Sequence, residues 1–205
     1  MSKLPTVAII GQANVGKSSL FNRLTRSRTA IVAREAGTTR DNVVGKVSYK
    51  RRNVDSTPSD DYSQFWLIDT AGLKTAEDEF EATIQDQISD ASAAADVILV
   101  TVDSTAYPSD ADRQLAKKAL KSGKPVILIA NKADLKGSLH VDEFKRLGIK
   151  NIIKTSAEHS IGISELLDSI AELIPPATET APDDVIRVAL IGRPNVGKSN
   201  LFNTL

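Results

Sequence analysis

The fourteen residues GQANVGKSSLFNRL at positions 11–24 return as GRPNVGKSNLFNTL at 192–205, with ten positions identical. Each copy follows a short apolar β-branched run, TVAII at 6–10 and VIRVALI at 185–191. A strand that enters G-x-x-x-x-G-K-S and leaves as a helix is the context in which glycines let backbone N–H groups curl around phosphates. The helix N-terminus adds partial positive charge. A chain built this way must be α/β, and it carries that unit twice. The first copy contributes Gly11, Asn14, Val15, Gly16, Lys17, Ser18 and Ser19 as phosphate-binding candidates. The second contributes Gly192, Asn195, Gly197, Lys198 and Ser199. Lys17 is expected to reach the β and γ phosphates, facing ligand rather than core, and the Ser18 hydroxyl to ligate Mg²⁺.

Between the copies, strand-like and helix-like stretches alternate. Runs at 43–49, 65–69, 96–102, 125–130 and 150–156 read as strands. Those at 77–95, 110–123, 141–148 and 163–174 read as helices. Continuous apolar strands separated by helices imply a mostly parallel sheet with helices on both faces, here six-stranded. PPATETAPDD at 175–184 has three prolines and no large apolar side chain, so it reads as a linker. The expected organisation is a first domain at 1–174, a linker at 175–184 and the opening of a second domain at 185–205. A strand, a loop and half a helix cannot bury a core.

Lys+Arg and Asp+Glu both number 26, so no global field draws the chain to nucleic acid or membrane and any basic site must be local. Cysteine is absent, which excludes disulfides and thiolate metal sites. No apolar run approaches the ~20 residues of a membrane-spanning helix. A soluble cytoplasmic protein is expected.

Four further segments carry chemistry. WLIDTAGL at 66–73 ends a strand on Asp69, suited to the Mg²⁺ shell, and turns at Gly72, whose N–H can approach the γ-phosphate. NKAD at 131–134 follows a strand. Its Asp134 can accept from guanine N1–H and the N2 amine together, donors that adenine lacks. Asn131 can bridge the base edge and the P-loop, and the stem of Lys132 can cover the ring. TSA at 155–157 places Ser156 and an Ala157 N–H where guanine O6 would lie. EAGTTRD at 35–41 supplies Thr39, with Thr38 as the neighbouring alternative, to close over Mg²⁺ and the γ-phosphate. A plain Ser/Thr turn would read the same way.

The order P-loop, switch threonine, D-x-x-G, N-K-x-D and S-A resembles a translation-factor-type GTPase, a small-GTPase-like G domain within the P-loop NTPase class. G-x-x-N-V-G-K-S with L-F-N, G-T-T-R-D and a repeated P-loop after a short linker resembles the EngA (Der) family in particular. These are bacterial tandem GTPases of large-subunit ribosome assembly. The resemblance covers essentially all 205 residues. It implies an enzyme that hydrolyses GTP to GDP and phosphate, with Lys17, Thr39, Gly72 and Asn14 in catalytic roles and Ser18, Thr39 and Asp69 around Mg²⁺. It implies the large ribosomal subunit and ribosomal RNA as partners, no membrane, and a monomer. The chain would be one G domain and the front of a second, a fragment of a longer protein. The rival reading is a GTP/GDP-gated binding module with incidental hydrolysis.

Four departures stand out. Relatives usually have proline before GTTRD, where this chain has Ala36 for the preceding position; they read D-T-G-G where it has Ala71; and they continue the base loop with His-Gly where His159 precedes Ser160. The segment YKRRNVDSTPSDDYSQ at 49–64 is longer than usual, and reads either as a solvated hairpin tip or as an RNA contact through Lys50, Arg51 and Arg52. His159 reads as a loop or packing residue. Leu73 stands where a water-orienting glutamine would sit. In relatives with this loop Asn14 resembles the ligand of an activating K⁺ ion, although a turn residue tolerant of unusual φ accounts for it equally. Arg40 belongs to the switch pattern and is not taken as an arginine finger.

If Asp134 reads the base, Asp134→Asn exchanges an acceptor for a donor facing the C2 substituent, where guanine has an amine and xanthine a carbonyl. Competition binding should then show preference moving from GTP toward XTP, and an unchanged preference would remove Asp134 from base recognition.

Overall fold

The computed structural model describes residues 4–26, 32–33, 43–52, 58–69 and 95–174. Thr38, Thr39, Arg40, Gly72, Leu73, residues 77–94 of the expected helix, the linker and the whole second P-loop lie outside them; Ala95, the last residue of that expected helix, is buried and not helical.

The described elements are β1 (Thr6–Gly11), α1 (Lys17–Arg26), β2 (Val32–Ala33), β3 (Val43–Arg52), β4 (Pro58–Asp69) and β5 (Val97–Asp103). They continue with α2 (Asp110–Lys121), β6 (Val126–Asn131), a 3₁₀ helix (Val141–Leu147), β7 (Asn151–Lys154) and α3 (Ile163–Leu173). The sheet runs β2-β3-β4-β1-β5-β6-β7. The six expected strands are all there; the seventh is the two-residue β2, too short to register in a hydrophobic pattern. β3 pairs antiparallel with β2 and β4, and every other pairing is parallel.

The central strands are apolar throughout because both faces are covered. Val7, Ile9, Val97, Leu99, Ile127 and Ile129 join one core with Leu20, Phe21 and Leu24 of α1 and Leu166, Leu167 and Ile170 of α3. Ala8, Ile10, Ile98, Val100, Leu128 and Ala130 face the other way, onto Leu115, Ala116 and Ala119 of α2 and Phe144 of the 3₁₀ helix. Full burial of one such side chain contributes about 1.5–3 kcal/mol. The two layers hold the strand ends rigidly, and the loops at those ends form the site.

Two expectations change in detail. Residues 141–147 form a 3₁₀ helix rather than an α-helix. The segment is short, closed by Gly148 at φ 78, and buries Phe144 and Leu147, whose three-residue spacing eclipses in 3₁₀ geometry. The long insertion is mostly strand, since Tyr49 pairs with Ser63 and Lys50 with Tyr62 before a register shift toward Arg52. Its pattern, polar on both faces, hid this from the sequence. Only 53–57, at the tip, lie outside the described residues.

α2 opens with a capping box between Ser109 and Asp112. α3 is entered through a tight reversal in which Ser156 and Ile161 form an antiparallel bridge. There Ser160 has φ 61 and Gly162 φ 69. A Cβ on Gly162 would press into the Lys154 carbonyl oxygen. Ser160 tolerates a left-handed conformation at a cost that glycine would not incur. Ser160→Gly should therefore stabilise the chain by about 0.5 kcal/mol, and Gly162→Ala should destabilise it by about 2 kcal/mol or more, as read by urea denaturation.

Candidate functional site

In the order β4-β1-β5 the strand order reverses, with β2 to β4 on one side of β1 and β5 to β7 on the other, and ligands in such sheets bind outside the carboxyl ends of the strands there. Residues 11–18 lie at that point, between β1 and α1. Gly16 has φ 93, and a Cβ there would collide with the Asn131 amide, so only glycine lets the loop pass this close to β6.

Lys17 is 6% exposed. Its ammonium folds back on the loop, donating to the carbonyls of Gly11 at 2.9 Å and Gln12 at 2.5 Å. Burial lowers its pKa, and the Asp69 carboxylate opposes part of that shift. A buried cation held by neutral carbonyls is undercompensated, and a phosphate would relieve that cost. The Ser18 hydroxyl donates to Asp69 Oδ2 at 3.0 Å. A hydroxyl and a carboxylate side by side are hard oxygen donors that fit Mg²⁺, which commonly takes one or two protein ligands and completes its shell with phosphate oxygens and water. Among the described residues no cluster of three carboxylate or histidine groups offers an all-protein metal cage.

Asn14 lies in left-handed backbone at φ 63, on the exposed side of the loop. Asparagine suits that conformation better than most residues. Ser19 is exposed and Val15 buried.

Asn131 ends β6 and is 2% exposed. Its Nδ2 donates to the Val15 carbonyl at 3.0 Å, while its Oδ1 accepts from Thr155 Oγ1 at 3.1 Å and from the Ala157 N–H at 3.2 Å. The bridge to the P-loop is as expected, but its other end reaches the 155–157 loop. The Ala157 N–H expected to face guanine O6 is thus engaged by Asn131. Lys132, at φ 65, sends its ammonium to Asp103 Oδ2 at 2.7 Å. Burial pushes the Asp103 carboxyl up, but hydrogen bonds from Lys132 and Thr105 outweigh it and hold the carboxyl below its usual range.

Asp134 is exposed mainly through its backbone; its side chain is 15% exposed. A hydrogen bond from the Ser156 side chain lowers its pKa most, against a smaller opposing effect of burial, and its own N–H and His159 lower it further. His159 Nε2 stands 3.6 Å from Asp134 Oδ2. The carboxylate is therefore ionised and oriented, as a bidentate acceptor must be.

Sequence reasoning missed Asp103, the hydrogen bond from Gln12 Nε2 to Ser109 Oγ at 2.7 Å, and Arg23, which reaches the Ala157 and Glu158 carbonyls. A strand-ending aspartate was the only available signal, and it points to no partner.

The P-loop, the Ser18–Asp69 pair and the loops after β6 and β7 thus lie together at the carboxyl ends of the strands. The family model for 50S ribosome-binding GTPases matches residues 6–132 and 187–205. The chain belongs to this family. Within it, the chain is 41% identical over 205 residues to GTPase Der of Gemmatimonas aurantiaca and 42% over 211 residues to that of Myxococcus xanthus, in each case across 98% of the chain. It spans 44% of the length of those curated relatives. The solved structure of Aquifex aeolicus Era bound to GDP·AlF4⁻ superposes with a TM-score of 0.61 at 26% identity, covering 92% of this chain and 63% of that one. The G domain of the T. maritima FeoB iron transporter gives 0.57 at 25%, covering 83% and 99%. The GTPase fold of the family is thus the fold of this chain.

Removing the Asn131 amide leaves the Val15 carbonyl, the Thr155 hydroxyl and the Ala157 N–H without their shared partner. Asn131→Ala should cost about 3 kcal/mol in nucleotide-free urea unfolding, well above an exposed Asn→Ala substitution such as Asn22→Ala.

Proposed function

We propose that this chain is a Mg²⁺-dependent GTP-binding domain that hydrolyses GTP to GDP and phosphate, and that it works as a switch in assembly of the large ribosomal subunit. The observation that carries the reading is the Asp134 carboxylate, its pKa lowered, at the same carboxyl-end face of the sheet as buried Lys17 and the Ser18–Asp69 pair. On this reading Asp134 selects guanine, and Lys17 with the loop N–H groups of residues 14–18 binds the β and γ phosphates. Ser18 and Asp69 hold Mg²⁺, which when bound neutralises charge between the β- and γ-phosphate oxygens. Thr39 and Gly72 close over the γ-phosphate.

The family to which the chain belongs and its likeness to GTPase Der support the ribosomal role. One Era structure is a complex with MgGDPNP and nucleotides 1506–1542 of 16S ribosomal RNA, at a TM-score of 0.60 and 26% identity, which supports RNA as a partner. We read residues 1–174 as a first G domain, 175–184 as a linker and 185–205 as the opening of a second, whose Gly192, Asn195, Gly197, Lys198 and Ser199 repeat the phosphate loop. We further read the protein as a monomer of the cytoplasm; among the described residues no helix is long and apolar enough to cross a membrane.

Leu73 favours the second reading, a module gated by the γ-phosphate in which hydrolysis is incidental, because leucine cannot orient water. Multiple-turnover phosphate release, with and without ribosomal subunits, separates the two. Turnover supports the enzyme. GTP-dependent docking on subunits without turnover supports the module.

If Asn14 contributes to a K⁺ site beside the β–γ bridging oxygen, the cation stabilises charge that develops only in the transition state. Potassium chloride should then raise hydrolysis about tenfold over matched sodium chloride, equivalent to ~1.4 kcal/mol, and raise GTP affinity much less. Asn14→Ala should lose the K⁺ response while retaining GDP binding. Equal rates in the two salts would remove K⁺ from the mechanism.

A further inference from the structure

Arg23 lies on α1, the helix that begins at Lys17, about 9 Å further along the axis. Its neighbours Leu20, Phe21 and Leu24 are buried in the core and fix the helix against the sheet. From that anchored helix its guanidinium crosses to the loop after β7. Nε donates to the Ala157 carbonyl at 2.6 Å and Nη2 to the Glu158 carbonyl at 2.6 Å. Both bonds are charge-assisted, and the planar fork addresses two consecutive carbonyls at once.

The loop it grips is the one that orients Asp134. His159 Nε2 stands 3.6 Å from Asp134 Oδ2, the Ser156 hydroxyl accepts from the His159 N–H at 3.1 Å, and the Thr155 carbonyl accepts from the Ala133 N–H at 2.9 Å. On one side Asn131 holds Thr155 and the Ala157 N–H. On the other, Glu158, His159 and Ser160 are exposed, and Ser160 sits in left-handed backbone. Arg23 grips the peptide units between these two sides.

We propose that Arg23 is a positioning residue of the base site. It ties the loop that aims Asp134 to the helix that carries Lys17 and Ser18, and so fixes the spacing between base recognition and phosphate recognition. The proposal rests on residues 131–134 and 155–157 being the guanine site. Arg23 touches neither base nor phosphate in this role. It acts through Ser156, and its loss should affect guanine binding more than the reaction step.

The test uses the whole chain, with Arg23→Met, which keeps most of the stem but removes both donors, and Arg23→Lys, which keeps the charge with a single-point donor. GDP and ADP affinity, kcat and KM for GTP, and nucleotide-free thermal unfolding are measured for each. Arg23→Met should weaken GDP binding about tenfold and raise KM similarly, with kcat within about twofold and ADP binding unchanged. Arg23→Lys should recover part of the GDP affinity. Wild-type GDP affinity in Arg23→Met overturns the proposal, as does an equal loss of GDP and ADP, which would mean a general loosening of the fold. If Arg23→Met does not fold, Arg23→Lys decides alone: GDP weakened more than ADP supports the role, and equal or no weakening overturns it. A wild type that does not prefer GDP to ADP shows instead that the guanine-site reading has failed, and the proposal falls with it.

Discussion

A single buried amide holds the site together. Asn131 is closed off from solvent at the end of β6, and both ends of its side chain are used. The nitrogen reaches back to the P-loop and the oxygen gathers the loop after β7. A buried primary amide without partners costs several kcal/mol, so the three segments are favoured only in the arrangement that satisfies it. Gly16 belongs to the same constraint, because any larger residue would push the P-loop off the Asn131 nitrogen. The P-loop and the loops after β6 and β7 are therefore one assembly, though each follows a different strand.

Around that centre the charges are held in readiness. Lys17 is buried and donates to backbone carbonyls, its ammonium poorly compensated until an anion arrives. The Asp134 pKa is lowered, most by the Ser156 side chain. Asp103 draws the Lys132 ammonium across the end of β5, which fixes the lysine stem where a flat ring could lie against it. Preorganisation of this kind reduces the ordering cost that a ligand would otherwise bear on binding.

The two apolar layers make this possible. Residues alternate along β1, β5 and β6 between the α1–α3 core and the α2 core. With both faces occupied, neither strand register nor the height of the strand ends can drift, and loops of a few residues meet within hydrogen-bond distance. The outer halves of β3 and β4 have less apolar content, which is why the alternating pattern predicted only their inner halves.

The sequence by itself determined the parts that local geometry dictates. Gly11 to Ser18 after a strand, Asp69 at a strand end and NKAD after β6 are each contiguous, and strand followed by turn places their groups without reference to the rest of the chain. Short polar strands and the 3₁₀ form of the helix at 141–147 were illegible, because each depends on what packs or bonds nearby. Tertiary structure alone decided the couplings: Asn131 to Val15 across 116 residues, Arg23 to Ala157 across 134, and Lys132 to Asp103 across 29. Those contacts follow from the order β4-β1-β5-β6-β7, which brings the ends of sequence-distant strands side by side. A motif records which groups are present. Which of them touch is set by the sheet, because hydrogen bonds act over about 3 Å and that proximity exists only once the strands have paired.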